Sequence, residues 1–446
     1  VAEEIKYVDD KYDHLVRDVD KMRVRYRQYI SFSNEKGAHS VANEVIFNAL
    51  DECKSPKSPG NKIHIEFDER DGFMFVSDNG RGIPSGILEE LFTSLNMGSN
   101  INAANKAGEK TDVLGQNGTG TLAACALSER IEITTYRGGT ENIYKTIIFE
   151  EGNKVDEKTG KCSSDKHGMH IRFKPSKVMG KNTRIVWKDI HDELLNLQYL
   201  NPKNIVIDSI YIDKNGKETI EKYKPLPFQD ILNRNNKEET ISPIYAFSVY
   251  GNDYIEDIND EKFKRYISMD IAFVYTTSLT PYIDSFSNGN NTIDNGDHID
   301  GTVDAICRYF QTATKNSMSD KEKEKLDIKW DDVRNGMSIA VSLKTDFERI
   351  YTNQSKHKIE SKEFRAIVTQ LVIDGLAEYF GKNQSRQKTV IDIVKTNARA
   401  RREGDKVRTA VIKNQITNWS SFKMKGFDPC TSKGKEYKEL FICEGD

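Results

Sequence analysis

Hydrophobic positions along the chain switch between two periods, and each switch marks an element. From about Ala38 to Glu52, Val41, Val45, Ile46 and Leu50 recur at helical spacing, which predicts an amphipathic helix. Period two follows: Lys62 to Phe67 and Gly72 to Ser77 alternate as paired strands across an Asp-Glu-Arg-Asp-Gly turn. A glycine-rich turn, Asp78 to Pro84, ends the second strand. Residues 98–119 are poor in large aliphatics and rich in Gly, Asn, Lys and Ser, so they read as a long loop. Loops beyond roughly 12 to 15 residues are commonly lids or binding segments. A helix over Thr121 to Leu127 and strands at Ile131 to Tyr136, Ile143 to Phe149 and Met169 to Phe173 complete an α+β domain.

The polar stretch Asn233 to Thr240 is placed as a linker. Beyond it, strands are expected near Ile244 to Gly251 and Ile267 to Thr276. A loop rich in Asn, Asp and Gly follows from Ser285 to Gly301, then a helix from about Thr302 and a strand from Val333 to Lys344. Helix is expected again over Ser361 to Phe380 and through Thr389 to Val411.

Length agrees with several domains, because one hydrophobic core stops growing at roughly 250 to 300 residues and the chain has 446. No apolar run approaches the roughly 18 residues of a membrane helix, and the acidic N-terminus is unlike a signal peptide, so the expected setting is cytoplasmic with no membrane partner. Six cysteines lie far apart with no Cys-x-x-Cys pair, which reads as reduced thiols. Net charge is −3, but Lys382 to Arg408 carries nine Lys or Arg against three acids, a local +6 that leaves −9 elsewhere. A charged helix face and a phosphate-contacting segment both fit that run. The sequence opens on Val, and the apolar run Leu440 to Cys443 meets Glu444, Gly445 and Asp446 directly, so a chain cut from a longer one is expected.

Three segments carry chemistry. Glu44 and Asn48 are four apart, so both side chains share one face of the first helix. About thirty residues on, Asp78-Asn79-Gly80-Arg81-Gly82-Ile83-Pro84 stands at a strand end, where glycines admit a ligand to the backbone and the carboxylate can accept from a planar amine. Third, Gly115-Gln116-Asn117-Gly118-Thr119-Gly120 opens the helix at Thr121; N–H groups there suit an anion such as a triphosphate. No Lys follows the last glycine as in a Walker A loop, and no strand leads directly into it as in a dinucleotide site.

In this order the segments resemble the ATP-binding Bergerat fold shared by gyrase, Hsp90, histidine kinases and MutL. More narrowly, NEVIFNALDE, VSDNGRGIP and GQNGTGTLAACALSERIEI resemble the ATPase region of type IIA DNA topoisomerases. SFSNGNNTIDNGDHIDG, DVRNGMSIAVSL and the Asn353-Gln354-Ser355-Lys356 loop resemble that family's transducer, and ELFICEGD the opening of its metal-binding Toprim domain. The resemblance implies a GHKL ATP-binding domain with an N-terminal arm over 1–232. A ribosomal-S5-domain-2-like transducer ending in a long helix would follow over 233–410, then a linker and the start of Toprim over 411–446.

Roles follow from it residue by residue. Glu44 would orient and deprotonate the attacking water, and Asn48 would hold Mg2+ with the bound ATP. Asp78 would accept from the adenine amino group, with Gly82 allowing approach and Ile83 packing the ring. Gly115, Gln116, Asn117, Gly118, Thr119 and Gly120 would line the phosphates. Lys356, with Gln354, would reach the γ-phosphate from the second domain, and Glu444 would be a Toprim metal ligand in a longer protein. Double-stranded DNA, a second copy of the chain and a DNA-cleaving subunit or domain are the implied partners, with Arg399, Arg401 and Arg402 as DNA-contact candidates. Cleavage itself would reside outside this stretch.

The chain departs from the family at Arg25-Tyr26-Arg27-Gln28-Tyr29-Ile30-Ser31, which replaces R-P-G-M-Y-I-G, and at Gly168-Met169, which stands where Gly-Thr is usual. Gln354 to Lys356 also lies farther from Phe347 than is expected in the bacterial enzymes, and the Gln116-Asn117-Gly118 wording resembles eukaryotic and viral members more than gyrase, pointing to a phage or otherwise divergent member. A non-hydrolysing DNA clamp or decoy of the same fold, or a MutL-like ATPase, remains the alternative.

Overall fold

The computed structural model describes residues 17–30, 32–95, 119–201, 204–235, 238–258, 261–278, 280, 282–292, 294–347, 350–351 and 358–419. The chain divides into two compact units, Val1–Ile306 with Gly336–Lys382, and Cys307–Asn335 with Asn383–Asp446.

The first unit holds two sheets. The larger is built from β1 (Lys62–Asp68), β2 (Phe73–Asp78), β3 (Ser128–Arg137), β4 (Ile143–Glu150), β5 (Asn153–Lys161), β6 (His167–Pro175), β7 (Val206–Ile212) and β8 (Glu218–Tyr223). Their order is β5-β4-β3-β6-β2-β1-β7-β8, antiparallel except for the parallel pair β1/β7. Helices α1 (Asp18–Val24), α2 (Arg27–Ile30), α3 (Asn34–Lys54), α4 (Leu88–Thr93), α5 (Gly120–Ala126) and α6 (Trp187–Leu200) accompany it. The apolar stripe of α3 decides the packing: Val41, Val45, Ile46 and Leu50 are buried with Ile63, Ile65 and Phe67 of β1 and Ile131 and Ile133 of β3 in one core. Truncating Leu50, 0% exposed, would cost about 2 to 5 kcal/mol. With that stripe inward, the face bearing Glu44 and Asn48 is left half-buried.

The second sheet comprises β9 (Tyr245–Ile258), β10 (Glu261–Tyr275), β11 (Ile283–Ser287), β12 (Asn290–Asn291) and β13 (Met337–Thr345), ordered β12-β11-β13-β10-β9. A smaller core joins Leu200 of α6 and Ile231 and Leu232 of α7 (Ile231–Asn235) to Ala272, Val274, Phe286 and Ala340 of this sheet. Helix α8 spans Asp297–Asn316; α9 (Asp320–Lys325), α10 (Trp330–Arg334), α11 (Lys362–Gly381) and α12 (Gln384–Trp419) follow. No helix among the described residues is long and apolar enough to cross a membrane.

Three expectations about elements need correction. The loop expected over Ser285 to Gly301 contains the end of β11, and α8 begins at Asp297 rather than near Thr302. Asp297 and Asp300 in its first turn favour the positive end of the helix dipole, so residues that read as loop chemistry are helix-start chemistry. Val333 and Arg334 end α10 instead of opening a strand; Gly336, at φ +78, makes the turn into β13. Strand β5 went unread because its residues are exposed almost throughout and show no alternation. It is a charged edge strand paired only to β4.

Candidate nucleotide-binding site

The carboxyl end of β2, the polar face of α3 and the first turn of α5 meet in the first unit. Asp78 is the last residue of β2 and only 8% exposed. Its Oδ1 accepts the Gly80 N–H at 2.8 Å, and the Met169 backbone N–H also donates to the carboxylate. Burial nevertheless pushes the Asp78 carboxyl up to about 7; the two amide donors and nearby His167 offset it only in part, and Glu52 adds to the rise. A buried carboxylate of this kind is poised for one more donor.

The turn after Asp78 is fixed from several sides. Glu52 accepts from Nε and one terminal nitrogen of Arg81, at 3.0 and 2.8 Å, and from its backbone N–H at 2.7 Å. Although burial opposes it, Arg81 holds the Glu52 carboxyl below its ordinary value. Arg137 donates to the carbonyls of Arg81 and Gly82, His167 Nδ1 to the Gly80 carbonyl at 2.8 Å, and the Thr135 hydroxyl bonds both backbone groups of Ile83. Gly82 sits at φ +67, and a Cβ there would stand 2.5 Å from the Tyr136 carbonyl oxygen. Glycine is therefore required at Gly82 by conformation and by space. Gly168, at φ +120, packs its α-carbon so tightly on the Asp78 carbonyl that a side chain would collide with it.

Across the site, the Glu44 carboxylate lies against Gly120, the first residue of α5, where any Cβ would strike it. Asn48 stands one turn along α3, and Glu52 one turn further, so Glu44, Asn48 and Glu52 share one face. The structure thus brings together Glu44 with Gly120, and Asp78 with Gly82 and Ile83, around α3. Thr119 precedes α5. Gly115, Gln116, Asn117, Gly118, Gln354, Lys356 and Glu444 lie outside the described residues.

Sequence reasoning missed Glu52, Thr135, Arg137 and His167. Glu52 was findable, because it continues the four-residue spacing of Glu44 and Asn48. The other three come from strands distant in sequence, and nothing local marks them.

The basic helix α12 belongs to the second unit. Arg399 is exposed. Arg401 is committed elsewhere: its Nε and NH2 bind the two oxygens of Asp332, 2% exposed, at 2.7 and 2.9 Å. Arg402 donates to the Lys325 carbonyl.

A family model described as DNA gyrase B matches residues 227–410, and one described as histidine kinase-, DNA gyrase B- and HSP90-like ATPase matches residues 33–187. Among curated proteins, the chain is 28% identical over 459 residues to the DNA gyrase B protein of Clostridium acetobutylicum, covering 100% of this chain and 67% of that protein. It is 27% identical to the DNA topoisomerase 4 B protein of Staphylococcus aureus, covering 99% of this chain and 64% of that one. The chain thus spans about two thirds of the length of such relatives. In fold it is similar to the 43K ATPase domain of Thermus thermophilus gyrase B, solved with an aminocoumarin. The TM-score is 0.63 at 22% identity, over 88% of this chain and 98% of that one.

Proposed function

From a chain that belongs to the type IIA DNA topoisomerase family, in its ATPase and transducer region, we propose an ATP-hydrolysing gate that dimerises on nucleotide binding and captures the duplex to be transported. The observation that carries this reading is the seating of the Glu44 carboxylate on Gly120, on the α3 face that leads to Asn48 and Glu52. A carboxylate there is within reach of a water beside phosphates held at Thr119 and Gly120, and it can orient that water and take its proton. Asp78 accepts the exocyclic amine of adenine, and Gly82 and Ile83 pack the ring. Lys356 and Gln354 contact the γ-phosphate, so that contact exists only before hydrolysis.

Asn48 fits Mg2+, since its amide oxygen is a hard donor on a half-buried face one turn from Glu44. When bound, the ion neutralises charge on the triphosphate. Residues 1–232, 233–410 and 411–446 are assigned to ATPase domain, transducer and the start of Toprim. The partners are duplex DNA, a second copy of the chain and a DNA-cleaving subunit or domain, in the cytoplasm.

The deciding experiment compares the chain with its Glu44→Ala variant in single-turnover ATP hydrolysis and nucleotide-dependent dimerisation. Turnover lost with dimerisation kept is the expected outcome. Loss of both makes Glu44 structural, and a parent that binds ATP without hydrolysing it makes the chain a nucleotide-gated clamp.

A further inference from the structure

Helix α5 carries Gly120, against which the Glu44 carboxylate lies, and its own sequence does little to fix where it sits. It spans seven residues, and its N-cap, Thr119, makes no side-chain capping bond. A helix of two turns is marginal in water, so its place is set by what it packs on and is tied to. Leu122, Ala123, Ala124, Cys125 and Ala126 are buried and supply the packing. Apolar burial is non-directional, and alanine methyls offer little to stop the helix sliding along its axis.

The tie comes from the end of α4. In a continuing helix the Leu95 N–H would return to the Leu91 carbonyl, four residues back. Here α4 stops at Thr93, the Ser94 N–H closes on the Glu90 carbonyl at 3.0 Å, and the Leu95 N–H turns to Asp18 Oδ2 of α1, also at 3.0 Å. The Leu91 carbonyl, released at the helix end, is taken by the Thr121 hydroxyl, which donates to it at 2.9 Å. One bond within a helix is thereby exchanged for two between helices: α1 to α4 through Asp18, and α4 to α5 through Thr121. Arg23 of α1 closes the triangle by donating to the Ala126 carbonyl at the far end of α5, at 2.6 Å. Both arms of α1 are backed, since Lys21 bonds the other Asp18 oxygen at 3.1 Å and Glu151 pairs with Arg23.

We propose that Thr121 is a positioning residue for Glu44: its hydroxyl on the Leu91 carbonyl, which Asp18 keeps open by drawing off Leu95, fixes the height at which Gly120 meets the carboxylate. This rests on the reading of Glu44 as the group that orients the attacking water. A general base displaced by a fraction of an ångström still lets nucleotide bind but loses its line to the water, so the loss falls on the chemical step. Adenine is held elsewhere, at Asp78 and Ile83, and its binding is untouched.

The test measures kcat and KM for ATP, ADP affinity and stoichiometry, and melting temperature on the 446-residue chain, for Thr121→Val, Thr121→Ser, Asp18→Ala, the Asp18→Ala/Thr121→Val double variant and Glu44→Ala. Thr121→Val keeps the branched shape and removes only the hydroxyl. It is expected to lower kcat roughly fivefold, the size of one lost hydrogen bond, with ADP affinity unchanged and Thr121→Ser at the parent rate. Asp18→Ala frees the Leu95 N–H to reclaim the Leu91 carbonyl, so it should lower kcat alike, and the double variant should lose no more than either single one. A parent rate for Thr121→Val overturns the proposal. So does a loss that Thr121→Ser shares, or one matched by a fall in ADP-binding stoichiometry, for either would make the residue merely structural. Losses that multiply in the double variant would separate the two contacts and overturn it too. Should Thr121→Val fail to fold, Asp18→Ala reads the same carbonyl. Turnover in Glu44→Ala at the parent rate overturns the reading beneath the proposal, whereas an inert Glu44→Ala beside a full-rate Thr121→Val overturns the proposal alone.

Discussion

Asp78 is held at a cost that the unliganded protein has no use for. Its carboxyl titrates near 3.8 in an unfolded chain and is pushed up to about 7 by burial in the folded one. Between those values the folded state binds the proton more tightly, so stability falls as pH rises from about 4 to about 7. Three units correspond to about 4 kcal/mol in full, and linkage over the interval from pH 5 to pH 8 gives roughly 2.5 kcal/mol. Asp78→Asn removes the titration while every other group keeps its own. Urea melts of parent and variant at pH 5 and pH 8, followed by Trp187 fluorescence with Trp330 and Trp419 replaced by Phe, isolate the difference in the layer that contains Asp78. The variant should gain on the parent by roughly 2.5 kcal/mol across the interval, while losing ATP affinity tenfold or more as a charged acceptor disappears. Parallel pH profiles would refute the reasoning, for they would mean that the amides of Gly80 and Met169 already compensate the buried charge.

Other outcomes follow from single contacts. His298 is fully buried, and desolvation lowers its imidazole to about 3. Because the unfolded chain takes up that proton first, its contribution is lost as pH falls from about 6.5 to 3, and its ring resonances should not shift between pH 5 and 8. Gly82→Ala, forced into φ +67 against the Tyr136 carbonyl, should lower the melting temperature and weaken ATP binding together; binding lost with no change in melting would show that the alanine fits. Arg401→Ala strands the buried Asp332 carboxylate and should destabilise the second unit by about 3 kcal/mol in denaturant melts.

Helix α3 was legible in the sequence because its stripe and its polar face are both local patterns, and the strands β1 to β4 and β6 were legible by alternation or apolar runs. What stayed hidden was held by partners far along the chain. The raised pKa of Asp78 is invisible in Asp-Asn-Gly, since it arises from enclosure beside Gly168 and Met169, ninety residues away. The same holds for Tyr351, whose hydroxyl meets Ser287 only because β11 ends opposite Leu343. Asn288 inverts the usual inference: an Asn-Gly pair reads as a turn, and here the Asn side chain serves as a substitute strand partner.

The basic run on α12 shows how burial redistributes a charge that composition only counts. Val390, Val394 and Ala398 are buried, and Arg401 continues that side into its bond with Asp332. At 100° per residue, Lys388, Lys395, Arg399 and Lys406 fall together on a face about 120° round the helix from that side, over a rise of about 27 Å. That spans phosphates along about eight base pairs, so the cations fit for a duplex are these and not Arg401. Reversing Lys388, Lys395 and Arg399 to Glu should abolish DNA stimulation of the ATPase and leave the basal rate unchanged, while replacing the same three by Ala should reduce the salt slope of DNA binding by about 3. Arg401→Glu should instead fail in the melt, by placing a second carboxylate against Asp332. If Arg401→Glu folds normally and loses DNA as the triple reversal does, the assignment of the two faces is wrong, and the Asp332 contact does not hold the helix.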